Sequence, residues 1–324
     1  MKTVAYSCPF VPCEWIAAHG LRPRRISPGP PPGPPAGPSE GLCPYVQAFV
    51  HAAGGDARAE AVVVTTLCDQ MRRAAEWIAR SSDRRVFRLN VPATWQGREP
   101  RRLYTDEVRR LGRFLQRLGG RPPSAEELAA VMCRYDDLRG ELRAARPRLP
   151  ARRFAERVLA AASGEVPEGG DVAPSRRGGV PVALVGGALR RCDLGLFDLL
   201  ERSGGRVVLD ATDTGERTLP APFDRRRLAR DPLGALVDAY FGAIPHVFRR
   251  PNEGFFQYMI RELHVRGARA VLFRRYPWCD TWNAELWRLR DRLDVPVFEL
   301  DIGTEAGVPD RWATRVQAML EALS

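Results

Sequence analysis

The stretch ARAVLFRRYPWCDTWNAELWRLRDRLDVPVFELDI, residues 268–302, decides the fold. Its opening run, Ala270–Phe273, is unbroken and apolar, the pattern of a strand in a parallel sheet covered on both faces. Cys279 and Asp280 follow, then a helix-forming segment, then a second apolar strand over Val297–Ile302. Residues 61–92, AVVVTTLCDQMRRAAEWIARSSDRRVFRLNVP, repeat this order around Cys68 and Asp69. Here the helix is amphipathic, with Met71, Ala74, Ala75, Ile78 and Ala79 on one stripe. Two strand–Cys-Asp–helix–strand units predict two α/β halves with parallel sheets, each presenting a cysteine at the end of a strand.

Reading outward from these units, Thr3–Tyr6 is a short strand leading into a Cys-Pro turn and a helix from near Glu14. The stretch ISPGPPPGPPAGPSE, residues 26–40, is excluded from helix and central strand, because proline fixes φ and has no N–H. It reads as an extended connector. Leu42–Ala53 reads as helix. Thr105 is expected to cap a helix whose stripe is Val108, Leu111, Leu115 and Leu118, and Ser124 to Glu127 reads as a capping box. Residues 163–179, rich in Gly, Pro and charge, form the expected linker. The expected organisation is an N-terminal α/β domain with a helical insert over 1–162 and a C-terminal α/β domain over 180–324. Both are expected as Rossmann- or flavodoxin-like parallel sheets, with the functional cleft between them.

Composition narrows the function classes. Of 324 residues, 50 are Lys or Arg and 39 are Asp or Glu, a net charge of +11. Lys2 is the one lysine, and the arginines are spread along the whole chain without a dense, aromatic-interleaved run. Nucleic acid is therefore not an expected partner, whereas a polyanionic cofactor such as coenzyme A suits the surface. No run approaches the roughly 20 apolar residues of a membrane span. The opening MKTVAYSCPFVPCEW lacks the apolar core of a signal peptide. Seven scattered cysteines, an odd number, read as thiols or metal ligands of a cytoplasmic protein rather than as a disulfide framework.

Ligands of open parallel sheets bind outside the carboxyl ends of the strands, where Cys68 and Cys279 are expected. Each precedes a helix whose N-terminal N–H groups favour a thiolate. A lone cysteine in such a place reads as a small core hydrophobe, but two at matching positions read as a pair facing one cleft. Neither CxxC nor HxxxH spacing is present, which argues against structural zinc. An iron–sulfur cluster tolerates scattered ligands. Cys43, at the start of a helix in the first half, is the best third ligand, and three thiolates would leave one iron open to a substrate oxygen. Cys8 reads as core or as cleft-adjacent, and Cys133 and Cys192 as structural. His246 and His264 read as surface or satisfied residues. Val185-Gly-Gly-Ala188 with Asp210 is an incomplete dinucleotide fingerprint lacking its third glycine. Arg72 and Arg73 read as a solvated helix face, with coenzyme A phosphates as the functional alternative.

Together these residues resemble the D-component subunits of 2-hydroxyacyl-CoA dehydratases and ATP-dependent benzoyl-CoA reductases. YSCPFVPCEWIAAHG, residues 6–20, is similar to the family's opening segment of a cysteine followed by Val-Pro-Glu-Glu. Leu42-Cys43, then Cys68-Asp-Gln-Met-Arg-Arg73, then Ala270–Phe273 with Cys279-Asp280, resemble its cluster-binding segments. The resemblance covers nearly the whole chain. It implies a [4Fe–4S] cluster held by Cys43, Cys68 and Cys279. It implies a related partner subunit, an ATP-hydrolysing iron–sulfur activator delivering one electron, and an acyl-CoA substrate. The implied reaction is radical elimination of water from the thioester; reduction of an acyl-CoA and a non-catalytic cluster scaffold are the alternatives. Glu14 is the residue in which a proton carrier is expected. The chain departs from the family at Cys13, where the first glutamate of Val-Pro-Glu-Glu is replaced, and at His19, where an apolar residue is usual.

Overall fold

A computed structural model describes residues 1–30, 41–165 and 178–324. Most of the Pro-rich connector and of the expected linker lies outside the described residues. Among the described residues, eight strands form two four-stranded parallel sheets: β1 (Thr3–Tyr6), β2 (Arg22–Arg25), β3 (Ala59–Thr65) and β4 (Arg85–Leu89), then β5 (Val180–Gly186), β6 (Gly205–Thr212), β7 (Ala270–Arg275) and β8 (Val297–Asp301). Their orders are β2-β1-β3-β4 and β6-β5-β7-β8. The two halves therefore share one topology. β3 and β7, the strands preceding Cys68 and Cys279, hold equivalent places in it.

Helices cover the sheets. The first half carries α1 (Cys13–Ala18), α2 (Pro44–Gly55), α3 (Asp69–Ser81), α4 (Arg98–Arg117), α5 (Ala125–Ala145) and α6 (Ala151–Ala161). The second carries α7 (Gly195–Arg202), α8 (Arg225–Leu228), α9 (Pro232–Val237), α10 (Glu253–Val265), α11 (Asp280–Asn283), α12 (Leu286–Arg292) and α13 (Asp310–Glu321). A π turn over Asp238–Gly242 continues α9.

Two local expectations are corrected. β2, with the sequence RPRR, was not foreseen as a strand, since arginine and proline disguise it. It pairs only with β1, and an edge strand tolerates Pro23. Thr105 does not cap a helix. α4 starts seven residues earlier, at Arg98, and the Thr105 hydroxyl donates back to the Arg101 carbonyl at 2.8 Å. The Ser124–Glu127 capping box forms as expected.

The halves share their cores. One apolar cluster runs from Phe49, Val62 and Ala74 to Leu184, Leu200 and Trp312. A second joins Tyr104, Leu111 and Leu128 of the helical insert to Leu236 and Phe241 of the second half. The Gly186-Gly187 pair has a packing explanation. Gly186 has φ +142°, and a Cβ there would lie 2.1 Å from the Arg274 carbonyl oxygen of neighbouring β7. Asp210 is buried within β6 and accepts from the Thr212 N–H and hydroxyl, so it is committed to its own strand end.

Candidate functional site

Both sheets end on one cavity of about 100 Å³. Its wall combines residues just past β1 and β3 (Ser7, Cys8, Cys68), the end of β2 (Arg25), the start of α2 (Cys43, Tyr45), and the turns after β5, β6 and β7 (Gly187, Asp213, Cys279). One probe-sized water needs roughly 10–15 Å³ of such space, so the cavity admits a group with the volume of several waters. The exposed part of its wall is largely apolar.

Cys43, Cys68 and Cys279 all line it. They come from two halves of the chain and share one local design. Each is the residue immediately before a helix: Cys43 before α2, Cys68 before α3, Cys279 before α11. The N–H groups of the following turn offset burial in part, those of Val46 and Tyr45 lowering the Cys43 thiol, those of Met71 and Gln70 the Cys68 thiol and that of Trp282 the Cys279 thiol, although none makes a cap hydrogen bond to a sulfur. The expectation that helix N-termini would favour thiolates is outweighed here. Burial pushes the Cys43 thiol up to about 12, and it raises those of Cys68 and Cys279 as well. The thiols also raise one another, Cys68 acting on Cys43 and both acting on Cys279, so the three form one electrostatic group. Cys8 is a fourth thiol in the wall and accepts from the Thr65 hydroxyl at 3.0 Å. Among the described residues, no three His, Cys, Asp or Glu side chains converge tightly enough for a single metal ion. The thiols stand around a space instead. Sulfur donors at three helix starts around a common space are the surroundings that a multi-iron cluster takes.

The same wall holds a polar network that the sequence did not disclose. His246 Nε2 lies 2.9 Å from Asp213 Oδ1, and Trp282 Nε1 donates to Asp213 Oδ2 at 2.9 Å. Arg217 also binds this carboxylate. The Phe248 N–H donates to His246 Nδ1 at 3.1 Å, which leaves the imidazole proton on Nε2, facing Asp213. Burial holds the His246 pKa below its ordinary value, against the upward pull of Asp213. Burial alone would raise Asp213, but His246, Arg217 and Trp282 outweigh it and hold the carboxyl well below the usual range. His246 is thus a satisfied residue, as expected, but a buried one. Its partner lies 33 positions away, a spacing that carries no local signal.

Glu14 is placed elsewhere. It is fully buried and is not part of the cavity wall. Arg139 Nη1 donates to it at 2.6 Å, Tyr240 Oη at 2.5 Å and Cys13 Sγ at 3.4 Å. Cys13, which stands where the family has a glutamate, belongs to this sealed network. Arg72 is exposed on α3 and pairs with Asp69 at 3.4 Å, as a solvated helix face does. Cys133 and Cys192 are half-buried and stand away from the cavity.

No curated protein matches the sequence. Among solved structures, the chain is similar to the SBP FpvC from Pseudomonas aeruginosa in complex with Mn2+, at 12% identity over 99% of this chain and 98% of that one. The TM-score of that likeness is 0.25, and it carries no argument. The family model described as 2-hydroxyglutaryl-CoA dehydratase, D-component, matches residues 8–323, from the first cavity cysteine almost to the last residue. The chain belongs to the 2-hydroxyglutaryl-CoA dehydratase D-component family.

Proposed function

We propose that the chain is the cluster-carrying subunit of a cytoplasmic 2-hydroxyacyl-CoA dehydratase-type lyase. Cys43, Cys68 and Cys279 would hold a [4Fe–4S] cluster. The reading rests on one observation above all: three thiols from opposite halves of the chain line the same cavity. Membership of the D-component family supports the rest, namely a related partner subunit, an ATP-hydrolysing activator and an acyl-CoA substrate.

When bound, such a cluster supplies a low-potential electron and a Lewis-acidic iron. The chain's own residues do the remainder. The N–H groups of α2, α3 and α11 stabilise charge on the three sulfurs. Asp213, held by Arg217 and His246, sets a fixed negative charge beside the thiols.

Anaerobically purified protein is expected to be brown, with about four irons per chain. Cys68→Ser and Cys279→Ser should lose the iron, and Cys133→Ser should keep it. A colourless, iron-free protein after anaerobic reconstitution would sink the reading. A second reading has one specific observation behind it, the fourth thiol of Cys8 in the same wall. If Cys8 closes the coordination, the subunit is an electron-transferring scaffold. The EPR spectrum then changes in Cys8→Ser and ignores acyl-CoA in the wild type.

A further inference from the structure

Buried charge around the cavity does not balance. Just past β5, Asp193 is shared by two arginines. Arg190 Nη2 donates to its Oδ1 at 2.8 Å and Arg274 Nη2 to its Oδ2 at 2.9 Å, and all three side chains are fully buried. Among the described residues, Arg190 Nη1 and Arg274 Nε have no hydrogen-bond partner. Three residues of the cavity wall tie this unit to the site. Arg274 Nη1 donates to the Gly187 and Ala188 carbonyls at 3.0 and 3.1 Å. The Tyr276 hydroxyl donates to Asp193 Oδ2 at 2.7 Å, and the Tyr276 ring lies 4.5 Å from the Arg274 guanidinium and 5.7 Å from that of Arg190.

Arg25 adds a second surplus. It is buried in the cavity wall, donates to the Asp213 carbonyl oxygen, and leaves its Nε without a partner. Among the described residues, no carboxylate lies within ion-pair distance of it. Other buried arginines are matched. Arg139 has Glu14 to itself, Arg217 has Asp213, and Arg249 sits over the rings of Phe10, Phe241 and Phe248. Two positive charges are therefore left over, one in the Asp193 unit and one at Arg25. Arginine does not shed its proton to relieve them, and uncompensated buried charge is costly. The surplus is felt at the thiols. Burial dominates Cys43 and Cys8, and against it Arg190 lowers the first and Arg25 the second.

We propose that Arg190, Arg274 and Arg25 are the counter-charge of the group held by Cys43, Cys68 and Cys279, and that they favour its reduced form. The inference rests on the cluster reading. A doubly positive iron–sulfur core on three thiolates carries one net negative charge, and the single electron added on reduction makes it two, with no bond broken and no proton taken up. Two buried positive charges match that total. The arginines are thus positioning residues for charge, acting on the potential of the site through the wall.

The test titrates anaerobically reconstituted protein with titanium(III) citrate, which supplies the electron, and follows the reduced signal by EPR. Arg190→Met leaves Asp193 to Arg274 alone. It should keep its iron, while its ratio of reduced to oxidised form at a fixed applied potential falls about tenfold, or about 59 mV for one electron. Arg190→Lys, which keeps the charge, should stay close to wild type. Arg25→Gln breaks no ion pair and should shift the same way, which keeps the test decisive if Arg190→Met folds poorly. Melting before and after loading separates charge from packing. Each neutral variant should gain less Tm on loading than wild type, whereas a merely structural role would lower Tm equally in both states. On iron-free protein, sodium sulfate should raise the Tm of wild type more than that of Arg25→Gln, relative to sodium chloride of equal ionic strength. Loaded variants with an unchanged potential, or with equal Tm losses in both states, would overturn the proposal and leave the cluster reading standing. Wild type that takes up no iron but responds selectively to sulfate would uphold a site matched to an anion and sink the cluster reading. Neither iron uptake nor a selective sulfate response would overturn both.

Discussion

At Glu14 the distinction between a proton carrier and a structural carboxylate is a matter of partners. Its three donors, Arg139, Tyr240 and Cys13, are themselves buried, and none of them lies in the wall of the thiol cavity. Glu14→Gln would leave the Arg139 charge without compensation, and the expected loss of stability is about 3–5 kcal/mol in denaturant titration. Replacing both partners, Glu14→Leu with Arg139→Met, should recover most of it. A stable Glu14→Gln protein would return the residue to the proton-carrier role. Asp210 makes a pH-dependent prediction. Burial raises its carboxyl from the ordinary value to about 6, and Oδ2 has no partner. Between about pH 4 and pH 6 the folded state holds a proton that the unfolded state has released, so this group costs stability as the pH rises through that window. Asp210→Asn should therefore raise Tm at pH 7.5 and lose this advantage near pH 4. A gain of equal size at both values would refute the assignment.

Among the elements, the helix starts were the most legible. Ser124 accepts from the Glu127 N–H at 3.2 Å while the Glu127 carboxylate accepts from the Ser124 N–H at 2.8 Å. Ser124→Ala should cost about 1 kcal/mol and leave iron binding intact, by thermal melting and iron assay. The same reading puts Cys43, Cys68 and Cys279 just before helices, because a buried strand followed by Cys-Asp, or a Cys-Pro ahead of a helix-forming run, is a local pattern. β2 escaped because its reason for existing is not local. Arg-Pro-Arg-Arg becomes a strand by hydrogen-bonding to β1, and its arginines are oriented by that pairing. Without β2, Arg25 has no place in the cavity wall. Thr105 shows the opposite error. A good capping residue inside a strongly amphipathic segment was taken for the start of α4, although the charged turn from Arg98 already continues the helix.

For the whole molecule, the decisive fact is that the candidate ligands straddle the two halves. Cys43 and Cys68 follow the N-terminal connector and sheet, and Cys279 follows the third strand of the C-terminal sheet. Apolar clusters already run between the halves, so unfolding is expected to be cooperative. A group held by all three thiols binds only the folded arrangement and should stabilise the molecule as one unit. At free ligand a hundredfold above Kd the gain is about 2.7 kcal/mol. Anaerobic calorimetry before and after reconstitution with iron and sulfide should show a single transition moving to higher temperature. Cys279→Ser should abolish the shift even though the first half keeps both of its thiols, and Cys133→Ser should preserve it. A loaded wild type that melts in two steps, with only the earlier or the later one displaced, would mean that the group is held within one half and that Cys279 is not its ligand.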